Sequence, residues 1–288
     1  MTRLFVLLGL MLFLLTGCAP QQPPAQITAT TLPVYEFSSR LCRGTDLTVT
    51  RLVSENVSCL HDYSLSVSQV KAVESAELTV LSGGGLEDFM SDLLAGRQVL
   101  DASSGIPLLE SCSHEHPEHH HHHEHDPHLW LSPVHVKAMC RNICNGLSMQ
   151  FPEYASVFET NLQVLLSELD ALQNYGNAQL STLSCRELVT FHDGFAYFAD
   201  AFDLTVLKAV EEESGSEASA ALLKELILLV REHDLPAVFT ETNGSTSAAG
   251  IIAAETGAAI YTLDMAMSGS SWFDAMYHNI DAVKEALK

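Results

Sequence analysis

Two series of short β-rich runs alternating with helical runs, separated by one long helical stretch, leave this chain few architectures. In the first series residues 27–31, 47–53, 78–81 and 99–101 read as strands, and 34–41, 67–75 and 86–95 as helices. In the second, 188–191, 237–241 and 258–263 read as strands, and 194–201, 220–233, 246–256 and 273–287 as helices. Such β-then-α repetition implies parallel sheets covered by helices, with ligands taken at the carboxyl ends of the strands. Between the series, Tyr154, Val157, Phe158, Leu162, Leu165, Leu166, Leu169 and Leu172 keep three- and four-residue spacing within 152–183. About thirty residues of helix span roughly 45 Å, longer than a small lobe needs. The fold class expected is therefore α/β, with parallel-sheet β/α lobes over 26–150 and 184–288 joined by one long rigid helix over 151–183. An ordinary core helix of a single domain is the alternative. Ser132-Pro133 predicts a helix start, with Ser132 as N-cap and Pro133 at the first helical position.

A histidine tract interrupts the first series. Nine of the fourteen histidines fall between His114 and His128, interleaved with Glu115, Glu118, Glu124 and Asp126. Imidazoles bind transition metals, and carboxylates keep such a tract hydrated and attractive to cations. An expression tag is the bland alternative, but this tract is internal and mixed with acids. The formal charge of −22 argues against nucleic acid as a partner, since no basic stripe could neutralise phosphates.

At the amino terminus Arg3 precedes an apolar run over residues 4–15, shorter than a membrane span needs and typical of a signal peptide. The run ends in Leu15-Thr16-Gly17-Cys18, which resembles the bacterial lipobox. That resemblance implies a lipoprotein signal peptide over 1–17 and a lipid on Cys18; an uncleaved anchor is the alternative. Residues 18–25 are a polar, proline-rich tether. Either way the body is expected to be exported and held at a membrane surface. Cys42, Cys59, Cys112, Cys140, Cys144 and Cys185 permit three disulfides in an oxidising compartment, or buried thiols.

Three histidines outside the homopolymeric run, His61, His128 and His192, sit at predicted strand ends, and Asp264 ends a fourth strand in the same way. Three imidazoles and a carboxylate would fill a tetrahedral Zn²⁺ shell. A closed shell leaves no position for an activated water, which favours binding over catalysis and argues against an enzyme.

The residues Leu60-His61-Asp62-Tyr63-Ser64-Leu65-Ser66-Val67-Ser68, Asp126-Pro127-His128-Leu129-Trp130-Leu131-Ser132-Pro133 and Phe191-His192-Asp193-Gly194-Phe195-Ala196-Tyr197-Phe198 carry a resemblance. Phe239-Thr240-Glu241, Glu255-Thr256-Gly257 and Leu263-Asp264 extend it. The chain resembles the metal-binding lipoproteins of bacterial zinc and manganese ABC importers, the ZnuA-like and AdcA-like solute-binding proteins, from about Ile27 to the carboxyl terminus. The resemblance implies a metal in the cleft between two lobes, bound by His61, His128 and His192 with Asp264 as fourth ligand. It further implies zinc uptake in partnership with an ABC permease and its ATPase, by a monomeric binding protein. Manganese binders of the family tend to carry glutamate at the third position, and His192 gives a softer shell suited to Zn²⁺. Met265-Ala266 stands where the family usually has Pro-Leu, so water or Glu241 remains open as a substitute for Asp264. Glu241 is otherwise expected to orient a histidine. His114, His116, His119, His120, His121, His122, His123 and His125, in a loop over 113–125, are expected to collect zinc weakly. His135, His233 and His278 are expected at the surface or in packing, and Asp62, Tyr63 and Trp130 to shape the pocket. A manganese or iron importer subunit of the same fold, a surface adhesin and a zinc hydrolase are the competing readings.

Overall fold

The computed structural model describes residues 26–54, 57, 60, 63–110, 125–210, 218–242 and 244–288. The signal peptide, Cys18, the tether, Cys59, His61, Asp62, Cys112 and His114 to His123 lie outside the described residues.

The described residues form two four-stranded, wholly parallel sheets. The first contains β1 (Gln26–Ala29), β2 (Thr48–Arg51), β3 (Leu78–Leu81) and β4 (Val99–Asp101) in the order β2-β1-β3-β4. The second contains β5 (Glu187–Thr190), β6 (Thr205–Ala209), β7 (Ala237–Glu241) and β8 (Ala259–Leu263) in the order β6-β5-β7-β8. Two α/β lobes are thus present, each with the same strand arrangement. Parallel strands with both faces covered need continuous apolar runs rather than alternation. Strand β7, Ala-Val-Phe-Thr-Glu, is buried at every position, including its carboxylate.

The crossovers are α1 (Leu32–Leu41), α2 (Val67–Ser75) and the short α3 (Ser91–Leu94) in the first lobe. In the second they are α6 (Ala196–Ala201), α7 (Ala220–Glu232) and α8 (Ser247–Thr256), with α9 (Trp272–Leu287) closing the chain. Between the lobes run α4 (Pro133–Gln150) and α5 (Ala155–Leu180). Local chemistry sets several boundaries. Ser66 and Gln69 form a reciprocal capping box at α2. The Ser132 hydroxyl accepts from the His135 amide with Pro133 at the first position of α4, as the sequence predicts.

Helix α5 touches both lobes. Asn161 donates to the carbonyls of Leu41 and Arg43 behind the first sheet, while Tyr175 donates to Asp281 of α9 and Gln173 to the Ala201 carbonyl. One apolar cluster runs from Ile27 and Val80 through Trp130, Leu147, Leu165 and Leu172 to Phe239, Leu263 and Ile280. Two buried tryptophans cross the seam, Trp130 Nε1 donating to the Met265 carbonyl (2.8 Å) and Trp272 Nε1 to the Trp130 carbonyl (3.0 Å). Arg51 adds bonds to the carbonyls of Met267 and Gly269, and the Glu36 carboxylate accepts from the Trp272 amide.

Several sequence expectations need correction. The helix expected over 86–95 is broken into a 3₁₀ turn, Asp88–Met90, and one turn of α3. Residues 152–154 form a 3₁₀ turn, so α5 begins at Ala155 and stops at Leu180. Strand β6 is absent from the sequence reading; it is an edge strand, exposed or half-buried along its length, so it lacks a buried apolar run, and its pairing with β5 shifts register between Leu188 and Val189 of β5. Of the two alternatives open for the cysteines, Cys42, Cys140 and Cys144 are buried free thiols and Cys185 a half-buried one. Burial pushes the Cys42 thiol up to about 12 and raises those of Cys140 and Cys144. Among the described residues no helix is long and apolar enough to cross a membrane.

Candidate metal centre

His192 follows β5 by two residues, and its carbonyl accepts a bond from Thr190 Oγ1 (3.0 Å) that shapes the turn into α6. Its Nδ1 lies 2.5 Å from Oε1 of Glu241, the buried last residue of β7. His128 is not at a strand end, as the sequence suggested, but caps a 3₁₀ turn, Leu129–Leu131. It is 2% exposed, and its Nδ1 lies 2.7 Å from Asp126 Oδ1, which also accepts from the His128 amide at 2.9 Å. Trp130 backs the ring edge-on at 5.2 Å.

The two imidazoles point at each other. Their Nε2 atoms are 3.3 Å apart, with rings nearly perpendicular at 86°. An ionised carboxylate only accepts hydrogen bonds, so Asp126 and Glu241 each place the imidazole proton on Nδ1. With that tautomer both facing Nε2 atoms present lone pairs, an arrangement that suits a shared cation. Two nitrogens each about 2.05 Å from one tetrahedral Zn²⁺ lie about 3.3 Å apart. Carboxylates that fix the tautomer and heading of a ligand imidazole are the usual outer shell of a metal site. Glu241 lies against His192 Nδ1, and Asp126, two residues before His128, is placed in the same way against His128 Nδ1, a residue that sequence reasoning did not single out. The Asp-x-His spacing, with Pro127 stiffening the link, was the available signal.

Asp264 directly follows β8 and is tied into a turn. Its amide donates to Asn279 Oδ1 and its carbonyl accepts from Asn279 Nδ2, both at 2.7 Å. Its Oδ1 accepts from the amide of Ala266, which has a left-handed φ of 55°. Among the described residues no group of three or more His, Cys, Asp and Glu side chains is gathered at metal-holding distance. The structure therefore joins His128 and His192 and gives each a carboxylate, while His61 lies outside the described residues. His125 is exposed and pairs with Glu110 as an isolated antiparallel bridge. His233 bonds to Glu187 (2.9 Å), His278 to the Thr262 carbonyl, and His135 packs edge-on against Tyr197, all away from the pair.

A family model described as ZnuA, zinc-uptake complex component A, periplasmic, matches residues 27–286. The chain belongs to this family. It is similar to a putative metal-binding protein of Treponema pallidum (strain Nichols), 27% identical over 295 residues, covering 95% of this chain and 93% of that one. It is likewise similar to the high-affinity zinc uptake system protein ZnuA of Bacillus subtilis (strain 168), 28% identical over 279 residues, with 91% and 87% covered. A crystal structure of ZnuA superimposes with a TM-score of 0.81 at 32% identity, covering 92% of this chain and 100% of that chain.

Gly194 is where this family member has no room for a side chain. A Cβ there would fall 2.6 Å from Met265 Cε, 2.8 Å from His192 Cδ2 and 3.1 Å from His128 Cδ2. Gly194→Ala is expected to push the imidazoles off their shared axis and weaken zinc binding by about 10-fold or more, the scale of outer-shell damage. Competition against a chelator of known affinity measures this, and an unchanged affinity would show that the rings have slack.

Proposed function

We propose that this protein captures Zn²⁺ outside the cytoplasm and hands it to an ABC permease driven by its ATPase. The observation that carries the reading is the pair of facing Nε2 atoms, 3.3 Å apart, each imidazole held from behind by a buried carboxylate. His61, from the other end of the first lobe's motif set, supplies the third nitrogen. Asp264 or water completes the shell; one Asp264 oxygen also accepts from the Ala266 amide. The ion is cargo rather than a resident cofactor, and the protein is a solute-binding component, not an enzyme. Three imidazoles favour Zn²⁺ over Mn²⁺, which prefers oxygen donors. Lipid on Cys18 holds the monomer at a bacterial membrane, with residues 18–25 as tether, 26–150 and 184–288 as lobes and 151–183 as connecting helix.

Metal competition tests the reading. The body starting at residue 26 should bind one Zn²⁺ tightly and in preference to Mn²⁺ when both are titrated together. Preference for Mn²⁺ would move the protein to the manganese branch of the same fold. Deleting residues 113–125 should reduce the number of weakly bound zinc ions, counted by equilibrium dialysis, and leave one tight site. Loss of the tight site would mean that the histidine loop itself holds the cargo.

A further inference from the structure

Tyr197 lies in α6 of the second lobe and is fully buried. Its hydroxyl accepts from the Leu109 amide (2.8 Å) and donates to the Asp126 carbonyl (3.1 Å). The Asp126 amide in turn donates to the Leu109 carbonyl (2.9 Å). Three groups thus close a ring: one phenol oxygen, used as both donor and acceptor, and the two chain segments that flank residues 110–125. These segments belong to the first lobe, so the ring joins the lobes. It also fixes the main chain of the residue whose carboxylate aims His128. Burial raises the Tyr197 hydroxyl further above a range in which a phenol is already protonated at neutral pH.

We infer that Tyr197 is a positioning residue for metal binding, holding Asp126 from across the seam so that its carboxylate keeps His128 facing His192. The inference rests on the zinc-capture reading above. Packing alone does not explain the geometry, because a phenylalanine would fill the same space without either bond. Tyr197 makes the lobe-to-lobe spacing and the heading of one imidazole a single variable.

The test is Tyr197→Phe in the soluble body, alone and combined with Asp126→Ala, with zinc affinity from chelator competition and apo-protein melting as paired readouts. Tyr197→Phe alone should weaken zinc binding about 10-fold. In the Asp126→Ala background it should add much less, because no carboxylate is left to position. Unchanged affinity for Tyr197→Phe, or an equal loss in both backgrounds, would overturn the inference, the latter pointing to a purely structural contribution. If the variant does not fold, amide exchange in the wild-type protein decides. The Leu109 and Asp126 amides should be protected, and more so with zinc bound; exchange at the rate of free amides in both states would overturn it. Wild-type protein that binds zinc no better than His128→Ala would sink the zinc reading itself, whereas a silent Tyr197→Phe beside an impaired His128→Ala sinks only this inference.

Discussion

Alanine at His192 or His128 is expected to cut zinc affinity by more than about 100-fold, beyond the range seen when only a ligand's outer partner is lost. Each substitution removes one of the two facing nitrogens. Each also takes the imidazole N–H away from a buried carboxylate, Glu241 or Asp126, the latter keeping the residue-128 amide as a donor. Losing a hydrogen bond from a neutral imidazole to a buried carboxylate costs about 1.5–3 kcal/mol. The metal-free protein should therefore melt lower as well, so affinity and apo melting need to be measured together. Asparagine at the same position keeps a donor near the carboxylate and should recover part of the stability while leaving zinc binding impaired. Equal zinc affinity in the alanine variants and the wild type would remove these histidines from the site.

The second large effect concerns stability and pH. Glu87 is buried behind the first sheet's carboxyl edge, where burial pushes its carboxyl up to about 7. Hydrogen bonds from Thr30 Oγ1 (2.6 Å) and the amides of Ser82 (2.8 Å) and Gly83 (3.0 Å) pull it the other way, and the Asp101 carboxylate adds to the rise. In the unfolded chain this group titrates near about 4.3. Between those two values the folded state holds a proton that the unfolded state has released. Stability from this group is therefore present at low pH and lost as pH rises through about 7. The full change is on the order of 3 kcal/mol. Glu87→Gln cannot titrate but turns an acceptor oxygen into an NH₂ facing the Gly83 amide, so it should be less stable than the wild type at pH 5, by about 1–3 kcal/mol, and the gap should close by pH 8. Denaturant melts of the apo protein at the two values measure this; parallel curves for both proteins would show that Glu87 ionises freely when folded. The loop it holds reaches the site's frame, since a Cβ on Gly84 (φ +66°) would lie 3.2 Å from Pro127 Cα, the neighbour of His128.

The sequence exposed those features that depend on local chemistry. Apolar runs such as 78–81 and 237–241 are legible because a parallel strand buried on both faces tolerates little else. The start of α4 is legible because Ser132 and Pro133 each satisfy a helix-end requirement locally. Strand β6 was not legible, because an edge strand need not be apolar and its pairing with β5 comes from tertiary context. At the site, the motifs named both imidazoles, and Glu241 was placed as a supporting group. Asp126 and Tyr197 escaped because their roles lie in contacts between segments, 71 residues apart in the Tyr197–Asp126 bond. No pattern along one segment reports such a contact.

The chain has two tryptophans, and both sit at the seam between the lobes. One indole lies edge-on 5.2 Å from His128, and the second donates its N–H to the first one's carbonyl. Emission excited selectively in tryptophan therefore originates from the seam where the lobes are stitched, beside the facing histidines. The molecule carries its own optical gauge, so loading and unloading can be followed in real time without any label.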